Sequence, residues 1–125
     1  MDEVVALVRR TLAATTGDGD DVAVLTAGAG FVQWLGYPDA VQIEITHPAL
    51  AQRKSWWRRS SSPNPLREKK IATLTDLGFT QGPVNYGREI STTELDWDQI
   101  AAVIASVLDR VLDVRDADSI SVETF

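Results

Sequence analysis

Val41-Gln42-Ile43-Glu44-Ile45 alternates apolar and polar side chains with a strict period of two, and its reading decides the fold. Successive side chains of a strand point to opposite faces, so this pattern predicts a strand with one face buried and one wet. Working back from it, Pro38-Asp39 supplies a turn, and Phe31 to Tyr37 reads as another strand. Gly28-Ala29-Gly30 is a hairpin turn, and Val22-Ala23-Val24-Leu25-Thr26 is a short apolar run rich in branched residues. Three consecutive strands joined by short turns predict an antiparallel meander. Before it, Val4, Val5, Leu7, Val8 and Leu12 recur at helical spacing, with Asp2 placed to cap a helix over residues 2–15 that ends before Gly17.

Beyond the meander, residues 47–63 are irregular: Pro48, a basic and aromatic patch, then Ser60-Ser61-Ser62. A helix opens with Asn64 as cap and Pro65 at its first position, shows Ile71, Leu74 and Leu77 as an apolar stripe, and stops at Gly78. Phe79-Thr80-Gln81 and residues 86–92 read as strands four and five. The last helix starts at Asp96, with Gln99 three positions on as in a capping box. It carries Trp97, Ile100, Val103, Ile104, Val107, Leu108 and Val111, and is expected to run to Val114. The order α-β-β-β-α-β-β-α predicts an α+β fold with a five-stranded, largely antiparallel sheet and helices packed on one face. Residues 1–114 are expected as a single domain and 115–125 as an acidic tail, in which Ile120-Ser121-Val122 has the makings of an edge strand.

With 125 residues, 44% hydrophobic and 24% charged, the chain has the composition of an ordinary globular domain. Its net charge of −6 is unevenly spread. Arg53, Lys54, Arg58, Arg59, Arg67, Lys69 and Lys70 face a single acid, Glu68, giving +6 over residues 53–70 and leaving −12 for the rest. There is no cysteine, which removes disulfides, thiolate metal sites and cysteine nucleophiles together. The start, Met1-Asp2-Glu3-Val4, lacks the basic and apolar pattern of a secretory signal, and no apolar run approaches the roughly 18 residues of a membrane span, so a cytoplasmic protein is expected.

Groups from which catalysis could be built are scarce. The one histidine, His47, precedes Pro48, and no Gly-x-Ser-x-Gly elbow accompanies it. Asp18, Asp20 and Asp21 resemble the opening of a calcium loop, but Ala29 stands where the bidentate Glu is required. Gln33 replaces the third glycine of a nucleotide fingerprint begun by Gly28 and Gly30. No catalytic residue, metal ligand or cofactor is therefore assigned.

Binding is a better prospect. Arg53-Lys54-Ser55-Trp56-Trp57-Arg58-Arg59 joins indole rings, which dominate binding hot spots, to arginines that pair bidentately with carboxylates or phosphates. Arg53, Trp56, Trp57, Arg58 and Arg59 are candidate partner-binding residues, for a protein or peptide first. Nucleic acid, with bases stacked on the tryptophans, is the alternative, disfavoured by the −12 elsewhere, and a membrane surface is the third reading. Against all three stands a structural role, with one tryptophan covering the core and the arginines solvating the loop. Trp34 joins the candidates because both faces of its strand carry large apolar groups: Val32 and Trp34 on one, Phe31, Leu35 and Tyr37 on the other. One face must meet the helices, and the other is a dimer interface or client surface. The last helix also has more apolar surface than one sheet face needs, which points to a homodimer.

Several short motifs strengthen that prospect. Phe31-Val32-Gln33, Glu44 within its alternating strand, Leu77-Gly78-Phe79 and Asn85-Tyr86-Gly87-Arg88, followed by a long aliphatic helix, resemble the YbjN-like, class I type III secretion chaperone superfamily, in particular its actinobacterial peptide-binding-chaperone-like branch. The resemblance spans roughly residues 20–114. It implies a small acidic homodimer that binds a protein or peptide client, without catalysis or cofactor.

Overall fold

The alternating stretch is the central strand of a sheet in the computed structural model, which describes residues 2–16, 21–28, 30–47, 65–82 and 85–125. The three strands of the meander are β1 (Val22–Ala27), β2 (Gly30–Gly36) and β3 (Ala40–Thr46). Val24 faces Gln33 across the first pair, and Gln33 faces Glu44 across the second, both antiparallel. Ala27 pairs with Gly30, so the first connection is the two-residue hairpin, and Gly28 supplies its positive φ of 60°. The segments Thr80–Gln81 (β4) and Tyr86–Ser91 (β5) complete the other side, with β5 antiparallel to β3.

The helices are α1 (Asp2–Thr15), α2 (Pro65–Asp76) and α3 (Trp97–Arg110), and the fold is α+β as expected. The sheet has six strands rather than five, in the order β4-β5-β3-β2-β1-β6. The added strand, β6 (Ser121–Thr124), comes from the segment expected as a tail, and it lies antiparallel against β1. Its pairing continues into Phe125, whose N–H donates to the Val22 carbonyl at 2.9 Å.

Ala23, Leu25, Val32, Trp34, Val41, Ile43, Ile45 and Ile90 line one face of the sheet and form one core with Val4, Val8 and Leu12 of α1, Leu74 of α2, and the inner side of α3. The helices therefore cover a single face. On α3, Ile100, Ala101, Ile104, Ala105, Val107 and Leu108 are all buried within the chain. Most of the apolar surface of this helix is used within the chain by α1 and the sheet together, while Trp97 and Val103 are only partly buried. Trp97 is half-buried against the core.

Helix α3 begins with the expected capping box: the Asp96 carboxylate accepts from the Gln99 N–H at 2.8 Å, and the Gln99 side chain accepts from the Asp96 N–H at 3.0 Å. It ends a turn sooner than expected. The Val114 N–H reaches back to the Leu108 carbonyl at 2.9 Å, and Asp113 takes a left-handed φ of 58° between them. This is the closing geometry that glycine usually supplies. Here Lys70 supports it: from α2, 2% exposed, its Nζ donates to the Val111 carbonyl at 2.5 Å and to the Asp113 carboxylate at 3.0 Å.

Candidate functional site: the open face of the sheet

Period-two geometry puts every second strand residue on the face away from the helices. No described element packs on that face. Its middle is apolar. Val22 of β1 lies opposite Leu35 of β2, and Val24, opposite Gln33, is diagonal to Leu35 and Phe31; the four apolar residues are half-buried, with Tyr37 (40% exposed) just past the strand end. Phe125 sits opposite Val22 and is 62% exposed, an unusual position for so large an apolar side chain.

Either side of this stripe is acidic. On β3, Glu44 lies opposite Gln33, and its Oε2 accepts from the Gln33 amide at 2.8 Å and the Asn85 amide at 3.4 Å. Thr46 donates to the Asn85 side-chain oxygen at 2.6 Å, which fixes the orientation of that amide. Two amide donors on one oxygen hold the carboxylate in place while Oε1 takes part in none of the described hydrogen bonds. Glu89 is exposed one strand further, opposite Gln42. Between β3, β5 and β4 these residues border a shallow trough of about 750 Å³, lined by Gln42, Glu44, Thr80, Asn85, Arg88 and Glu89 among others. On the other side, Glu123 of β6 stands opposite Val24.

No lysine or arginine occupies this face among the described strand residues. The arginine of β5, Arg88, opposes Ile43 and so belongs to the covered face. There it donates to the Leu77 carbonyl at 2.7 Å and pairs with Glu94. Its guanidinium lies against Gly78, where a side chain would meet it at 3.0 Å, and Gly78 has a φ of 85°. The short motifs around Leu77-Gly78 and Arg88 are thus one structural contact that joins the end of α2 to β5.

Trp34 is not part of the open face. It is 1% exposed, and its indole Nε1 donates to the Thr15 hydroxyl at 2.9 Å beneath the end of α1. Thr15 in turn donates to the Thr11 carbonyl at 2.8 Å. A tryptophan so enclosed is core, and its place among partner-binding residues is corrected on that ground. The remaining candidates, Arg53, Trp56, Trp57, Arg58 and Arg59, lie outside the described residues. Phe31 and Leu35 belong to the second apolar face of β2, which the sequence offers as one of two possible dimer or client surfaces; Glu44 and Glu89 carry no such signal as site residues.

His47 follows β3 near Lys70 and Asp113. Burial pulls its pKa below the ordinary value, the Lys70 charge adds to that, and Asp113 opposes it. Among the described residues, no three side chains of metal-ligating type converge, and no helix is long and apolar enough to cross a membrane. No protein-family model, curated protein or solved structure matches the chain.

Proposed function

We propose that this protein is a non-catalytic, chaperone-like binding protein whose open sheet face receives a protein or peptide partner. The observation that carries the reading is the run of Val22, Val24, Phe31 and Leu35, with Phe125 beside it, on a face that no described element covers. Contiguous apolar surface on a soluble domain marks an interaction site more often than it marks chance. The resemblance to the type III secretion chaperone superfamily supports the same reading. Self-association as a homodimer belongs to the proposal too, through a surface other than the buried side of α3 and the sheet face that receives the partner. The acidic strand surface gives nucleic acid no support, since carboxylates repel phosphates.

A photo-crosslinking amino acid placed at Leu35, and separately at exposed Glu3 on α1, tests the reading in living cells. Discrete protein adducts from position 35 that are missing from position 3 are expected. No adducts, or one pattern shared by both positions, would overturn it.

A further inference from the structure

We propose that the partner segment on the open face is a cationic amphipathic helix, lying along β1 and β2 with lysine or arginine reaching Glu123 on one flank and Glu44 and Glu89 on the other. The inference rests on the reading above and specifies the chemistry of the partner.

The arrangement of charge around the apolar stripe carries it. Cross-strand register places the residues in rows: Glu123, Val24, Gln33 and Glu44 in one, and Phe125, Val22, Leu35, Gln42 and Glu89 in the next. The first row sets Val24 and Gln33 between two carboxylates, and the second runs from the apolar Phe125, Val22 and Leu35 out to Gln42 and Glu89. Strands lie about 4.8 Å apart, so the three spacings from β6 to β3 separate Glu123 from Glu44 by about 14 Å. A helix with its side chains is about 10–12 Å across. One helix fills that interval, with its apolar stripe on Val22, Val24, Phe31 and Leu35. Its flanking basic side chains then lie over the carboxylates, with their aliphatic stems against the sheet.

The described strand residues of this face include three carboxylates and no lysine or arginine, and Arg88 at the edge of the trough is engaged with the Leu77 carbonyl and Glu94. An acidic segment, a phosphate backbone or an anionic lipid surface would therefore meet net repulsion. A second copy of the chain fits less well. Complete face-to-face stacking about a two-fold axis perpendicular to the strands sets each acidic flank against its own counterpart. Stacking about an axis parallel to the strands sets the apolar half of one copy on the carboxylates of the other. A cationic segment avoids both conflicts. Glu44 is also prepared for the contact: Gln33 and Asn85 occupy Oε2, so the carboxylate need not be ordered when a guanidinium or ammonium arrives.

The probe is a fluorescein-labelled 18-residue Leu/Lys peptide with leucines on one helical face, titrated with the full chain and read by anisotropy. A Leu/Glu peptide of the same pattern serves as its counterpart. The Leu/Lys peptide is expected to bind and the Leu/Glu peptide not to. Glu44→Gln with Glu89→Gln should weaken binding about five- to ten-fold, since two exposed pairs are lost. Glu3→Gln with Asp76→Asn removes the same charge from exposed helix positions and should change affinity less than about two-fold. Glu89→Gln alone, at an exposed side chain with no described hydrogen bond, keeps the test intact if the double variant folds poorly. Equal weakening by both pairs of variants would show mere attraction to an acidic protein and overturn the proposal. So would equal binding of the Leu/Glu peptide, or a dimer in sedimentation that Leu35→Asp dissociates. Protein adducts from Leu35 whose crosslinked segment is not basic would overturn the cationic helix while leaving the partner-binding reading in place; loss of the adducts themselves overturns the reading.

Discussion

Trp34 and Leu35 are neighbours on one strand and belong to different environments. Trp34 is sealed under α1 with its indole N–H bonded to Thr15, whereas Leu35 lies half-buried on the face without a helix. The same contrast extends across the sheet. Val41, Ile43 and Ile45 are buried, while Gln42 and Glu44 between them look the other way. One face is organised by packing, where loss of volume costs stability. The other is organised by register, which lines up an apolar stripe and its acidic flanks without burying either. Substitutions at adjacent positions should therefore separate into those that unfold the protein and those that change only what it binds.

The largest expected effect is on the covered face. Trp34→Ala removes a large buried ring and leaves the Thr15 hydroxyl without its donor, and should cost about 3–5 kcal/mol in chemical denaturation. Trp34→Phe, which keeps most of the ring contacts, should cost clearly less. Gly36 offers a second attack on the same contact, since a Cβ there would lie 2.1 Å from the Thr15 carbonyl oxygen, an atom of the backbone that cannot swing aside. Gly36→Ala should reach or pass the upper end of the roughly 1–3 kcal/mol usual for overpacking. A Trp34→Ala protein as stable as the parent would break the distinction between the faces.

Next comes the clamp below the end of α3. Lys70→Met keeps the aliphatic bulk but strips the Val111 carbonyl of a charged donor, with an expected loss of about 1.5–3 kcal/mol. Asp113→Asn, which keeps a side chain tolerant of the left-handed φ, should cost less, because the Asp113 carboxylate is 58% exposed and water takes over its role. If Asp113→Asn proved the more damaging, the ion pair and not the carbonyl contact would be what holds the turn.

How far this architecture can be read from sequence differs between the two faces. The alternation at Val41 to Ile45 exposes the meander directly, and the sequence order of helices and strands follows from periodicity and capping. Periodicity says which residues share a face, not which face the helices take. On β2 both faces carry aromatic residues, so from sequence alone the chemistry of the Trp34 side chain points to binding as readily as to the core. Gly36, two positions on, is the feature that marks close approach, because only a glycine admits the Thr15 carbonyl there. The end of α3 has no sequence signal, because Asp113 occupies a position where glycine is the usual one. Strand β6 was only faintly visible because its first three residues are all exposed and show no alternation. The meeting of Gln33, Glu44 and Asn85 has no local signature at all: Asn85 is 41 positions from Glu44, and only the β3–β5 register brings them together.

On the open face the stability effect should be small. Leu35→Ser is expected to cost less than about 1 kcal/mol, against several for its neighbour Trp34, while removing the crosslinked partner or the peptide complex. Thermal melts of the two variants side by side check the difference. A loss at Leu35 comparable with that at Trp34 would mean that this face is packed after all.

The smallest expected effect is one of pH and concerns the end of β3, where the covered core gives way to the His47 region. Burial and the Lys70 charge both disfavour the imidazolium, so the folded protein takes up this proton at a lower pH than the unfolded chain does. Whenever the unfolded state binds more protons, stability rises with pH. The His47 contribution is therefore intact above the ordinary histidine value of about 6.5 and is lost as pH falls through it towards the lower folded value. Denaturation midpoints measured between pH 7.5 and 5.5 should fall less in His47→Gln than in the parent. Lys70→Met should also shallow the dependence, by removing a charge that opposes protonation, whereas Asp113→Asn should steepen it by removing one that favours it. An unchanged slope in Lys70→Met would leave burial as the sole cause, and a slope of opposite sign in the parent would mean that another partner of His47 stabilises its charged form.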